Sequence, residues 1–289
     1  MTTQAWLKNY THSLTGKIIA VSGSTGGIGK QLCRHLACLG ADLVLVDRDP
    51  QRSKAHGDSL MAEFPSVNVS YITVDLEDMT AVRVAAQKLI ELQIDSIILN
   101  AGAYHIPRHK CQTGYDNVFQ INFISPYYLA RTLLPHVAAH GGKIVAVGSI
   151  AHNYSQIDID DVDFSTRKAS SKVYGNAKRY LMFSLMGIKE HGDSISITHP
   201  GITLTNITAH YPKLIFAIIK HPMKVIFMSP RRASLCILAG LFATTQNDQW
   251  IGPRLFDVWG TPKAKKLSTC SPKEAVTICG IAEKIFENL

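Results

Sequence analysis

The chain has 289 residues, of which 46% are apolar and 18% charged, with a formal net charge of +8. That length suits one large α/β domain or two small ones, and the apolar share supplies a sizeable core. The basic residues are scattered, with their densest clusters at Arg231, Arg232 and at Lys263, Lys265, Lys266. No aromatic interleaving or nucleic-acid motif accompanies them, so no nucleic-acid partner is expected. The six cysteines form no C-x-x-C pair, and no histidine cluster shows metal spacing. Free thiols in a reducing, cytoplasmic setting and no metal are therefore expected. No signal peptide and no transmembrane run are read from the pattern.

Residues 1–15 are polar and mixed and read as an extension. An apolar, β-branched run over Lys17–Ser22 is followed by helical spacing over Gly29–Leu39. Leu43–Val46 predicts a strand, and Pro50–Phe64 a helix opened by its own proline. Val67–Val74 predicts a strand, Met79–Leu92 a helix and Ser96–Leu99 a strand. Tyr115–His140 has helical periodicity, with Pro126 set to bend it. Lys143–Val147, Val173–Lys189, Ile195–Thr198 and Arg231–Ala243 continue the alternation, with Leu255–Val258 as a last strand. Short apolar strands alternating with helices predict a doubly wound α/β fold, a parallel sheet with helices on both faces. One Rossmann-type domain over 16–260 is expected, followed by a helical tail at 261–289.

The stretch AVSGSTGGIGKQL, residues 20–32, lies at the first strand-to-helix turn. Glycine there permits tight turning and close approach of backbone amides to a ligand. The positive end of the next helix suits a phosphate, so a dinucleotide pyrophosphate is the expected occupant. The spacing Gly23-x-x-x-Gly27-x-Gly29, with Gly26 inside it, is not the usual G-x-G-x-x-G. Asp47 follows Gly27 by 20 residues at the end of the second strand, where an acid can accept from ribose hydroxyls. Arg48 beside it can pair with the additional phosphate of NADP. NAD is favoured, and NADP stays open.

In YGNAK, Tyr174 and Lys178 lie four apart on one helical face. An ammonium near a phenol lowers its pKa and suits it to proton transfer near neutrality. Ser149 follows a strand at the carboxyl edge, where ligands bind. Asn122 lies just before Pro126.

These pieces resemble the short-chain dehydrogenase/reductase family. The matches are SGSTGGIG (22–29), VDL (74–76), LNAG (99–102), QIN (120–122), VGSIA (147–151), YGNAK (174–178) and HPGITLT (199–205). The resemblance implies Tyr174 as acid/base, with Lys178 tuning it and holding the nicotinamide ribose. It implies Ser149 as the group orienting the substrate oxygen and Asn122 as holder of a water linked to Lys178. It further implies that Gly23, Thr25, Gly26, Gly27, Ile28 and Gly29 shape the pyrophosphate turn. Asp75 and Leu76 would flank the adenine, and Asn100, Ala101 and Gly102 the ribose. Pro200, Gly201, Ile202 and Thr205 would hold the carboxamide. Subunit pairing through the helices bearing 115–140 and 171–190 is implied as well, giving a homodimer or homotetramer. Ser22 stands where threonine is usual. The long spacing from Ser149 to Tyr174, with IDIDDVDF at 157–164, resembles the retinol-dehydrogenase-like branch.

The apolar segment 207–228, within a lid expected at about 203–229, carries Lys213, Lys220 and Lys224. It reads first as a lid over a hydrophobic substrate, then as packing, then as peripheral membrane contact. His105, His152, Tyr154 and Tyr211 are the candidate substrate residues at that mouth. The expected activity is hydride exchange between NAD(H) and a sterol-, retinoid- or lipid-like alcohol/carbonyl pair. The alternatives are an NAD(H)-binding regulator without turnover and a lipid dehydrogenase bound at an interface.

Overall fold

The computed structural model describes residues 1–188, 194–203, 228–246 and 248–289. Among these, eight strands form one sheet in the order β3-β2-β1-β4-β5-β6-β7-β8. The strands are β1 (Ile18–Ser22), β2 (Asp42–Asp47), β3 (Val69–Thr73), β4 (Ser96–Leu99), β5 (Ile144–Val147), β6 (Ile195–Thr198), β7 (Gln249–Leu255) and β8 (Trp259–Lys266). All neighbours pair in parallel except β7 with β8. The order reverses between β1 and β4, which opens a crevice at the carboxyl ends of those two strands. This is the doubly wound, Rossmann-type sheet expected from the alternation.

Helices cover both faces. Helix α1 (Thr3–Tyr10), α2 (Gly27–Cys38), α3 (Pro50–Glu63) and α8 (Pro230–Phe242) surround an apolar cluster that includes Leu32, Leu36, Leu235 and Leu238. On the other face, α4 (Met79–Glu91), α6 (Ser125–Ala139), α7 (Ser170–Gly187) and α9 (Pro272–Glu287) enclose Leu89, Leu133, Leu181 and Ile278. Proline at the start of α3, α8 and α9 occupies a first-turn position whose N–H has no intrahelical partner. Asp49, Asp78, Ser229 and Ser271 cap α3, α4, α8 and α9 by accepting first-turn amides.

Three features differ from the sequence pattern. The first fifteen residues include α1, whose Trp6 is buried in the same apolar cluster as Leu235 and Leu238 of α8. The last parallel strand is Gln249–Leu255 rather than Leu255–Val258, and residues 256–258 turn into the antiparallel β8. Finally, α9 packs on α6 and α7, the helices that the resemblance assigns to subunit pairing. Tyr127 Oη donates to Glu283 at 2.5 Å, and Arg131 reaches the same carboxylate at 2.8 Å. The Phe286 ring lies 5.5 Å from Tyr128, while Ile278, Ala282 and Ile285 are buried.

Helical structure begins with the short α5 (Asn117–Phe119) and is interrupted by a π-helical turn, Gln120–Ile124, directly before α6. Proline at position 126 enters at the start of α6, where its missing N–H is tolerated. The irregularity expected near Pro126 thus takes the form of a π-turn carrying Asn122.

Candidate active site

The glycine-rich turn joins β1 to α2. Gly23 has φ +67°, and a Cβ there would lie 2.8 Å from the Ala101 Cα. A Cβ on Gly29 would lie 2.2 Å from the Gly23 carbonyl oxygen. Gly26 is the N-cap of α2, so Gly27, Ile28 and Gly29 form the first turn, whose amides lack intrahelical acceptors. Bare backbone and a positive helix end fit a dinucleotide pyrophosphate.

The turn is braced from β4. Asn100 Nδ2 donates to the carbonyls of Ser22 and Gly23, each at 3.0 Å. The Ser22 hydroxyl accepts from the Ala101 amide at 3.0 Å, so serine serves in the position where threonine is usual. Asp75 accepts from the Glu77 amide, and Leu76 is buried while its carbonyl accepts from Ser125.

Asp47 departs from expectation. Its buried carboxylate accepts from the hydroxyls of Ser24, Thr25 and Ser53 and from the Thr25 amide. Four donors fill the acceptor capacity of an ionised carboxylate. Asp47 therefore ties the glycine turn to α3 instead of presenting its oxygens to a ribose. Arg48 is exposed at the end of β2.

At the carboxyl ends of β4 and β5 the second constellation converges. Asn122 donates to the carbonyls of Ala103 and Val118 at 2.8 Å each and accepts from the Ala103 amide. A Cβ on Gly102 would lie 2.8 Å from Asn122 Oδ1 and 3.7 Å from Lys178 Nζ, so the three are neighbours. Lys178 is buried, and its Nζ donates to the Val147 carbonyl at 2.8 Å. Ser149 heads the 3-10 helix Ile150–Tyr154 and hydrogen-bonds the Tyr174 phenol.

The electrostatics reverse one expectation. Burial pushes Tyr174 up to about 12; the Ser149 hydrogen bond lowers it, and the neighbouring Tyr104 raises it. Burial likewise brings Lys178 down to about 8. Desolvation outweighs attraction because Lys178 Nζ bonds to a carbonyl and stands 5.8 Å from the Tyr174 ring centroid.

The candidate substrate residues separate. His105, at φ +54°, is exposed and lies 3.1 Å from the Ser170 hydroxyl. Tyr154 is 55% exposed. His152 is fully buried, with both ring nitrogens hydrogen-bonded, and does not line the mouth. Tyr104, absent from the sequence reading, packs edge-on against Tyr174 at 5.3 Å. A tyrosine one residue before His105 carried no periodic or spacing signal.

Pro200 and Gly201 follow β6. Gly201 has φ +81°, and Ile202 accepts from the Met228 amide at 3.1 Å. Thr205, Tyr211 and nearly all of 207–228 lie outside the described residues. Glu77 and the nearby pair His109 and Cys111 bring donor atoms within 4.8 Å of one another. Hydrogen bonds account for that imidazole: Nε2 lies 2.8 Å from Glu77, and Nδ1 lies 3.2 Å from Asn117 Nδ2.

A short chain dehydrogenase family profile matches residues 17–213. The chain belongs to this family of oxidoreductases. Retinol dehydrogenase 13 of Homo sapiens is 28% identical over 206 residues, covering 68% of this chain and 62% of that protein. Polyprenol dehydrogenase of Homo sapiens is 24% identical over 207 residues, covering 67% and 63%. The chain thus spans less than two thirds of the length of these relatives. A putative uncharacterized protein from Mycobacterium paratuberculosis superposes with a TM-score of 0.77 at 20% identity, covering 96% of this chain and 95% of that one. A putative NAD(P)-dependent gluconate 5-dehydrogenase from Beutenbergia cavernae, with bound NADP, gives 0.61 at 18% identity, covering 80% and 91%. Both likenesses carry the fold.

Proposed function

We propose that the chain interconverts a hydrophobic alcohol and its aldehyde or ketone, with NADP(H) as cofactor. The observation carrying this reading is the meeting of Ser149, Tyr174, Lys178 and Asn122 at the crevice beside the glycine turn. The bound dinucleotide supplies the hydride donor or acceptor. In reduction, Ser149 orients the substrate carbonyl and Tyr174 delivers the proton to its oxygen. In oxidation, the Tyr174 phenolate takes the hydroxyl proton. Lys178 holds the nicotinamide ribose, and its charge in the occupied site favours the phenolate. Asn122 holds the π-turn open so that a water can link Lys178 to solvent.

The cofactor choice departs from the NAD favoured by sequence. Asp47 spends its carboxylate inside the protein, while Arg48 is exposed beside it. A guanidinium suits the 2′-phosphate of NADP. The substrate class draws on the names of relatives that act on retinol or polyprenol. The same reading places the protein in a reducing compartment. No helix among the described residues is long and apolar enough to cross a membrane. Peripheral contact through 207–228 belongs to this reading, and co-sedimentation with liposomes checks it.

The direct test is turnover with NADPH and with NADH against retinal, a prenyl aldehyde and an aliphatic aldehyde. NADPH-dependent reduction of the hydrophobic aldehydes is expected. Tight dinucleotide binding with no turnover on any carbonyl overturns this reading in favour of a nucleotide-binding regulator.

A further inference from the structure

Ser149 is tied to a part of the chain far from it in sequence. His152, three residues on, is fully buried. Its Nδ1 lies 2.6 Å from the Ser149 carbonyl, and its Nε2 lies 2.7 Å from the Thr269 hydroxyl. A carbonyl only accepts, so Nδ1 carries the proton and Nε2 accepts from Thr269. One neutral tautomer therefore satisfies both contacts. The ring stands edge-on to Phe183 at 5.9 Å and to Trp250 at 5.6 Å.

Arg179, the residue after Lys178, completes the frame. It is buried and grips Glu274 through Nε and Nη2, both at 2.6 Å. The same guanidinium donates to the Thr269 carbonyl at 2.7 Å and to the His152 carbonyl at 3.2 Å. On the opposite side, Gly175 lets the Ala151 carbonyl approach α7, because a Cβ there would lie 2.3 Å from that oxygen. The turn bearing Ser149 is held directly by α7, next to Tyr174. It is held again through His152 by the segment from Thr269 to Glu274.

We propose that His152 is a positioning residue for the reaction, and that residues 269–274 act with it to fix the Ser149 hydroxyl against Tyr174. This rests on the roles of Ser149 and Tyr174 given above. The Ser149 hydroxyl already accepts from the Ala151 amide at 3.1 Å, so its direction follows the backbone of this turn. The imidazole fixes that backbone by holding the Ser149 carbonyl. A small displacement of a group that orients substrate costs rate while leaving the cofactor site intact.

Two substitutions separate positioning from packing. His152→Asn keeps an N–H close to the place of Nδ1 and continues to serve the Ser149 carbonyl. His152→Gln carries its amide toward the place of Nε2 and serves Thr269 instead. Both empty the aromatic box and lower thermal stability. In NADPH-dependent reduction of the aldehyde panel, His152→Gln is expected to lose about tenfold to a hundredfold in kcat. His152→Asn is expected to keep most of it, and both are expected to bind NADPH as the wild type does. Thr269→Val, which removes the hydroxyl that anchors Nε2 and so frees one side of the imidazole, is expected to lower kcat as well. Equal kcat in the Asn and Gln variants overturns the proposal. If neither folds, an unchanged kcat in Thr269→Val overturns it. A wild-type protein that turns over no carbonyl overturns the proposed function, and this inference with it. Wild-type turnover with equal Asn and Gln variants overturns this inference alone.

Discussion

Lys178 Nζ donates to the Val147 carbonyl at 2.8 Å, which fastens α7 to the end of β5. The ammonium is buried and has no salt-bridge carboxylate among the described residues. Burial accordingly brings it down to about 8 from an ordinary 10.5. Between those values the unfolded chain holds a proton that the folded protein has released, so this lysine makes stability rise with pH. The burial cost is fully present below about 8 and gone above 10.5, roughly 3 kcal/mol in all. Chemical denaturation of the cofactor-free wild type and Lys178→Met checks this. Relative to the variant, the wild type is expected to gain stability as pH rises through that window. Parallel pH profiles would contradict the assignment.

Arg48 and Asp47 make separable predictions. Arg48→Ala is expected to weaken NADPH binding about tenfold to a hundredfold while leaving NADH little changed, since one charge-assisted phosphate contact is removed. Asp47→Ala is expected to harm both cofactors and to destabilise the fold. It strips partners from Ser24, Thr25 and Ser53 inside the protein. Fluorescence titration with both cofactors and thermal melting distinguish the two.

Gly29→Ala tests the turn without removing any polar group. Its added methyl meets the Gly23 carbonyl and the Ser24 Cα, both backbone atoms. Backbone cannot yield as a flexible side chain does, so a cost of about 1–3 kcal/mol is expected. Dinucleotide affinity should fall further than the melting temperature alone suggests, because the displaced atoms form the cradle. Wild-type affinity in the variant would remove the turn from cofactor binding.

Helix α9 bears on the expected assembly. Glu283 and Phe286 engage Tyr127, Tyr128 and Arg131 on α6, and Cys279 rests against Phe183 and Gly187 on α7. A second copy cannot use those faces while α9 is docked. Light scattering after size exclusion should show a monomer, or a pairing that Tyr128→Glu leaves undisturbed. A dimer broken by that substitution would restore pairing through the two helices.

The central parallel strands were legible because they are buried on both faces, which leaves uninterrupted apolar runs such as Leu43–Val46 in β2 and Ile144–Val147. The convergence of Ser149, Tyr174 and Lys178 was legible because they come from a strand end and one helical face. Strand β8 was hidden: its sequence, WGTPKAKK, is a lysine-rich edge strand with no apolar run. The bracing of the site was hidden for a different reason. His152 meets Thr269 across 117 residues, and no local pattern announces such a contact. The internal bonds of Asp47 were hidden because the three hydroxyls that claim it assemble only in the fold. The phenol's rise in pKa escaped for a similar reason, since spacing gives proximity to Lys178 but says nothing of burial.

The central claim is that Tyr174 carries the proton in a hydride-transfer reaction. Its most direct test is kcat and NADPH affinity measured side by side for the wild type and Tyr174→Phe, on the best aldehyde of the panel. Removing one hydroxyl should leave cofactor binding unchanged and lower kcat about a hundredfold or more, the usual weight of a positioned acid or base. Equal kcat in the two proteins would contradict the assignment and leave the phenol as part of the pocket wall.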